Sequence, residues 1–69
     1  MSEQPINLDP SAIRALADDV FGDVDKASRW FQSPVLALNG KTPNSLMHDE
    51  AGRQYVHAIL TRIDHGVFS

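Results

Sequence analysis

The sequence contains no cysteine, and this absence removes two common ways of stabilising a small fold. A 69-residue chain without cysteine has neither disulfides nor thiolate ligands for zinc, so packing must hold it together. Domains near this size bury only about 60% of the surface that their unfolded chains expose, which leaves little stability to offset strained active-site groups. The composition therefore favours one small domain that presents a binding surface over one that encloses a catalytic pocket.

Basic clusters and long apolar runs are missing as well. Six Lys and Arg residues are scattered among nine Asp and Glu residues, which gives a formal net charge of −3. Nucleic-acid-binding domains usually carry a basic stripe, so direct nucleic-acid binding is not expected. No apolar run approaches the roughly 18 residues of a membrane-spanning helix, and the N-terminal residues lack a signal-peptide pattern. We expect a cytoplasmic protein without a membrane partner, which agrees with the lack of disulfides.

The spacing of apolar residues predicts an all-α fold, a compact bundle of about four helices: two medium, one short and one long at the C-terminal end. The first helix is expected to begin at Asp9-Pro10, with Asp9 as its cap, and to end at Gly22. The second is expected from Asp23 to about Gln32. Residues 1–8 are interpreted as a flexible lead-in to a helical domain over residues 9–69. The apolar positions of both helices follow helical spacing: Ile13, Leu16, Ala17 and Val20 in the first, Val24, Ala27, Trp30 and Phe31 in the second.

The second half of the chain is predicted to hold a loop, the short helix and the long helix. Residues 33–40 are expected to form a loop pinned to the core by Leu36 and Leu38, since a lone strand would have no partner. Thr42-Pro43 predicts a short helix to about His48. Asp49 is expected to cap the last helix, which ends near residue 64 or 65, with Gly66 left-handed behind it and Val67 packed back on its last turn. Its core positions are Val56, Ile59, Leu60 and Ile63, and Tyr55 is expected to add aromatic area to the core.

No arrangement of residues indicates an enzyme, a metal site or a bound cofactor. His57 and His65 would lie about 12 Å apart along one helix, whereas metal ligands on a helix usually sit at i and i+4. The chain has no glycine-rich phosphate loop and no strand–turn–helix elbow for a nucleophile. Acidic pairs such as Asp49-Glu50 lie at predicted helix ends, where complementing the helix dipole is their usual role. We expect neither catalysis nor a cofactor.

The C-terminal residues are more apolar than a chain end usually is. Tails are commonly polar and fray, yet Gly66-Val67-Phe68-Ser69 carries two large apolar side chains. Val67 is explained as a helix-end contact. Phe68 either packs on the core or anchors a partner, since aromatic residues are favoured at binding hot spots.

Several short segments in this order resemble the toxin-binding domain of Xre/MbcA/ParS-type antitoxins. The likeness covers nearly the whole chain after Leu8, and its specificity lies in the order and spacing of the pieces. The segments are Val20-Phe21-Gly22-Asp23, Lys26-Ala27, Trp30-Phe31, Ser33-Pro34, Gly40 with Thr42-Pro43, Leu46-Met47, Glu50-Ala51-Gly52-Arg53, Arg62-Ile63 and His65-Gly66-Val67.

The resemblance implies a protein partner, a RES-domain toxin that acts on NAD. Such a toxin degrades NAD, phosphorolyses it or transfers ADP-ribose from it. It also implies that the C-terminal part of the antitoxin domain covers or enters the toxin's NAD pocket. Arg53 and Tyr55, upstream on the same helix, are second-rank partner-binding candidates. The first-rank candidates, which match that C-terminal part, are Arg62, Ile63, His65, Gly66, Val67, Phe68 and Ser69.

Two other functions stay open at this point. Many members of that family carry an N-terminal helix-turn-helix part that binds their own promoter. Only about eight residues precede the first predicted helix here, so we expect either a solitary toxin-binding domain or a fragment of a longer product, and no promoter binding by this chain. A dimeric regulatory module of a toxin–antitoxin operon is nevertheless an alternative, because the helices could form a self-complementary apolar face. A generic helical adaptor without a toxin partner is the other alternative. A homodimer and a hetero-oligomer with the toxin are both compatible with the sequence.

Overall fold

The computed structural model describes residues 8–66, which fold into three α-helices and two 3₁₀ turns. The helices are α1 (Pro10–Phe21), α2 (Val24–Gln32) and α3 (Glu50–Asp64). The 3₁₀ turns are Leu36–Leu38 and Pro43–Leu46, and residues 8–66 contain no strand. The predicted all-α bundle is confirmed. The short helix expected to reach His48 is instead the second 3₁₀ turn, which ends at Leu46.

Local signals fix most of the helix ends. Gly22 adopts the left-handed conformation (φ 70°) and donates its amide to the Asp18 carbonyl at 2.9 Å, so α1 ends as predicted. The Asp23 carboxylate accepts the Asp25 amide at 2.9 Å and caps α2. Asp9 is the N-cap residue of α1 and Pro10 begins the helix, as predicted, but the expected capping hydrogen bond of the Asp9 side chain is not formed. The Asp9 backbone carbonyl accepts the Ile13 amide at 3.0 Å.

The core lies where α1, α2 and α3 meet over the second 3₁₀ turn. Phe31 is the largest fully buried side chain, and Arg14 of α1 covers its ring with the guanidinium carbon 4.7 Å from the ring centroid. Trp30 is half-buried and packs edge-on against Phe31 with ring centroids 5.3 Å apart. The other buried residues of this cluster are Ile13, Ala17, Ala27, Met47, Val56 and Leu60.

Three residues predicted to be in the core are exposed. Leu36 is 92% exposed while Leu38 is buried, because a 3₁₀ turn has three residues per revolution and cannot aim both side chains at the core. Tyr55 is 65% exposed, since it points about 100° away from the buried Val56 on the same helix. Val24 is 63% exposed because it is the first residue of α2, ahead of the first buried position at Ala27.

Candidate functional site

The largest continuous exposed feature of α3 is one side of the helix, which we call the α3 outer face. Its residues fall on one side of the helix at 100° per residue, opposite the buried Val56 and Leu60. Tyr55 lies near its middle, with alanines four residues before it and three residues after it. The members of the α3 outer face are Ala51, Gln54, Tyr55, Ala58, Arg62 and His65, all of them exposed.

The start of α3 is held tightly against the second 3₁₀ turn. The Asp49 carboxylate accepts the Gly52 amide at 2.8 Å, as the predicted cap. Gly52 is buried, and a Cβ placed there would collide with the Leu46 carbonyl oxygen and lie 2.9 Å from the Leu46 Cβ. Only glycine lets the helix approach this closely, so Gly52 sets the position of α3.

Arg53 is a second-rank partner-binding candidate, and its guanidinium donates hydrogen bonds within the fold. Its Nε donates to the Leu8 carbonyl at 2.7 Å, and its Nη1 donates to the Met47 carbonyl at 2.8 Å. One half-buried side chain thus ties α3 to the residue that leads into α1 and to the residue that follows the second 3₁₀ turn. This gives Arg53 a role in folding, and its contact with a partner stays a prediction.

The C-terminal end of α3 brings together part of the predicted partner-binding set. Arg62 and His65 are exposed on the α3 outer face, while Ile63 is half-buried. Arg62 lies two turns after Tyr55, a rise of about 10 Å along the same side of the helix. Gly66 is left-handed (φ 64°) and donates to the Ile63 carbonyl at 3.1 Å, which confirms the predicted helix end. Val67, Phe68 and Ser69 lie outside the described residues, and so does the packing predicted for Val67.

Sequence reasoning missed a surface beside Tyr55. The ring borders an open depression of about 240 Å³ whose other side is the first 3₁₀ turn and the residues after it. The exposed Leu36 lies at the start of that turn. An apolar residue at 36 was visible in the sequence, but its nearness to residue 55 depends on the tertiary fold. The residues lining the depression are Ala37, Leu38, Asn39, Lys41, Leu46 and Tyr55.

The titratable side chains do not assemble into a metal centre in residues 8–66, where no three His, Asp or Glu side chains are placed to hold an ion. In the same span no polar or charged side chain is buried. None of the described helices is both long and apolar enough to cross a bilayer. The chemistry that this part of the chain does present is a set of exposed aromatic, aliphatic and basic side chains on α3 and the first 3₁₀ turn.

Fold and surface together define a small helical domain that displays a helix face, and comparison with known proteins gives its family. The model of the Antitoxin Xre/MbcA/ParS C-terminal toxin-binding domain matches residues 16–66, which include the second half of α1 and all of α2 and α3. The chain belongs to this family, and the resemblance noted in the sequence is confirmed. No solved structure gives a significant match.

Three curated relatives are named Antitoxin Xre. Those from Photorhabdus laumondii subsp. laumondii and Yersinia enterocolitica are each 41% identical over 54 residues, covering 77% of this chain and 36% of the relative. The one from Pseudomonas putida is 32% identical over 71 residues, covering 93% of this chain and 45% of the relative. The chain thus spans less than half the length of these relatives.

Proposed function

We propose that this domain acts as an antitoxin by binding a RES-domain toxin that uses NAD, and that it inhibits the toxin by covering its active site. Membership of a family of toxin-binding domains supports the antitoxin role. The observation that carries the proposal on this chain is the exposed α3 outer face, which runs without interruption to the C-terminal end of the helix.

In this proposal the end of α3 and the residues after it form the segment that covers the toxin's active site. Arg62, Ile63, His65 and Gly66 meet the rim of the toxin's NAD pocket, and residues 67–69 enter it, with Phe68 as the apolar anchor. The opposite side of the helix supports them, since Val56 and Leu60 are fully buried. A helix fixed in this way loses little conformational freedom when it binds, which favours affinity.

The exposed Arg62 supplies the electrostatic part of the contact. Its guanidinium makes no ion pair with another side chain of residues 8–66. A planar cation with five donors suits a carboxylate on the toxin, which it can bind through two parallel hydrogen bonds.

The proposal is tested with the purified domain and the product of the neighbouring gene, which the proposal expects to be a RES-domain protein. The full chain should bind that protein and stop its consumption of NAD. A version truncated after Gly66 should keep its helical circular dichroism, because residues 67–69 lie beyond α3, but should inhibit at least tenfold less well. A Val24→Asp variant, which changes an exposed residue far along the chain from α3, is the matched control and should inhibit like wild type.

Two results would contradict the proposal at different levels. Full inhibition by the truncated chain removes residues 67–69 from the mechanism. Failure of the full chain to bind the toxin or to protect NAD removes the toxin-neutralising function itself.

A further inference from the structure

Residues 35–41 form a closed turn whose shape is fixed by its own backbone. The Val35 carbonyl accepts the amides of Leu38 at 2.9 Å and Gly40 at 3.0 Å, and the Val35 amide donates to the Lys41 carbonyl at 3.1 Å. Asn39 (φ 60°) and Gly40 (φ 82°) both adopt the left-handed conformation that the reversal requires. Leu38 is buried and fastens the turn to the fold. The conformation is therefore set on folding, and a partner does not have to order it.

This turn holds apolar groups out in solvent on the far side of a depression that Tyr55 borders. A single exposed leucine needs no explanation, but Leu36 is 92% exposed, precedes the exposed Ala37, and lies on a turn that faces Tyr55 across a depression. Tyrosine is among the residues that most often dominate binding energy at interfaces. We call the set Leu36, Ala37, Lys41 and Tyr55 the turn–tyrosine surface.

The charge of this surface is opposite to that of the chain. The chain carries −3 overall, yet Lys41 is the charged residue that lines the depression, and no Asp or Glu lines it. On α3 the acidic residues Glu50 and Asp64 lie about 140° and 180° around the helix axis from Tyr55. Within residues 8–66, Lys41 makes no ion pair with an acidic side chain.

We infer that the turn–tyrosine surface is a second docking surface for the toxin, separate from the end of α3. It fits a protein surface with an apolar hollow for Leu36 and Tyr55 and with carboxylates at the edge that meets Lys41. The inference rests on the proposed function, and it extends the contact beyond the helix end toward the N-terminal half of α3. Complementary charge at such an edge acts mainly on the rate of association, whereas the apolar anchors act on dissociation.

The test measures binding kinetics of the full chain with the toxin. Tyr55→Ala and Leu36→Asp should each raise Kd at least tenfold, mainly through faster dissociation. Lys41→Glu should slow association several-fold at low salt, and the difference should shrink at high salt because screening removes it. All three positions are exposed, so circular dichroism and melting should be unchanged. The matched controls on α2 are Val24→Asp for the apolar positions and Lys26→Glu for the charge, and both should bind like wild type.

The outcomes separate this inference from the proposed function. If the wild-type chain binds the toxin and Tyr55→Ala and Leu36→Asp bind it with the same affinity, only the second surface is overturned. A wild-type chain that does not bind overturns the toxin partner and with it this inference. If Leu36→Asp converts a dimer of the chain to a monomer with no loss of toxin affinity, the surface joins two copies of the chain and the inference is wrong.

Discussion

Replacing Gly52 by alanine should destabilise this domain, although the same change stabilises most helices. In an exposed helix interior, alanine is favoured over glycine by about 1 kcal/mol. Here the new Cβ would collide with the Leu46 backbone carbonyl and lie 2.8 Å from the Asp49 carboxylate oxygen that caps the helix. Backbone cannot yield as a side chain can, so α3 must shift away from the second 3₁₀ turn.

The expected loss combines two effects. Overpacking a tight contact costs about 1–3 kcal/mol, and weakening the Asp49 cap costs about 1 kcal/mol more. The sum of roughly 2–4 kcal/mol, less the roughly 1 kcal/mol that alanine gains in a helix, leaves a net loss of about 1–3 kcal/mol, which is a large part of the stability of a domain this small. For a domain of this size, each kcal/mol lowers Tm by about 4–8 °C, so the melting temperature should fall by roughly 5–20 °C.

Urea denaturation and thermal melting followed by circular dichroism measure this loss. Gly22→Ala is the matched control, because Gly22 has φ +70° but open space around its Cβ position. It should lose only the strain of a left-handed alanine, about 1–2 kcal/mol. A Gly52→Ala variant that is as stable as wild type, or more stable, would refute the argument that close packing requires glycine at this position.

Two further stability changes follow from the described contacts. Arg53→Ala should cost about 2 kcal/mol, since the Leu8 and Met47 carbonyls both lose a charged donor; a urea midpoint within error of wild type would show that these hydrogen bonds contribute nothing. Phe31→Ala should cost about 3–5 kcal/mol because it empties the largest site in the core. A cooperative melt close to the wild-type temperature would mean that the core does not depend on Phe31.

The helix ends could be predicted from sequence where a local signal sets them. Gly22 and Gly66 mark helix stops because glycine adopts the left-handed conformation cheaply, and Asp49 caps α3 through an amide three residues away. These interactions span a few residues, so the sequence contains all their partners. Asp9 has the same pattern as Asp49, and its side chain nevertheless makes no capping bond.

What the sequence could not provide are contacts between distant residues. The acceptor of the Arg53 Nε lies 45 residues away, and no local pattern announces it. Leu36 and Leu38 are equally apolar, and only the shape of the 3₁₀ turn decides that Leu38 is buried. Tyr55 differs from Val56 by one step around a helix whose core-facing side is set by α1 and the second 3₁₀ turn.

The candidate site likewise contains residues that could be predicted from the sequence and residues that could not. Arg62, His65 and Gly66 could be nominated because the family resemblance points to the end of the last helix, and the structure places all three at that end. The turn–tyrosine surface could not be nominated, since residues 37–41 and Tyr55 border one depression only after the bundle forms.

The central claim is that this domain binds a toxin with the exposed side and end of α3. NMR on the isotope-labelled chain with and without unlabelled toxin tests this claim most directly. Amide shift changes and cross-saturation should concentrate on the α3 outer face up to Gly66 and on residues 35–41. A footprint confined to α1 and α2, with α3 signals unmoved, would contradict the account.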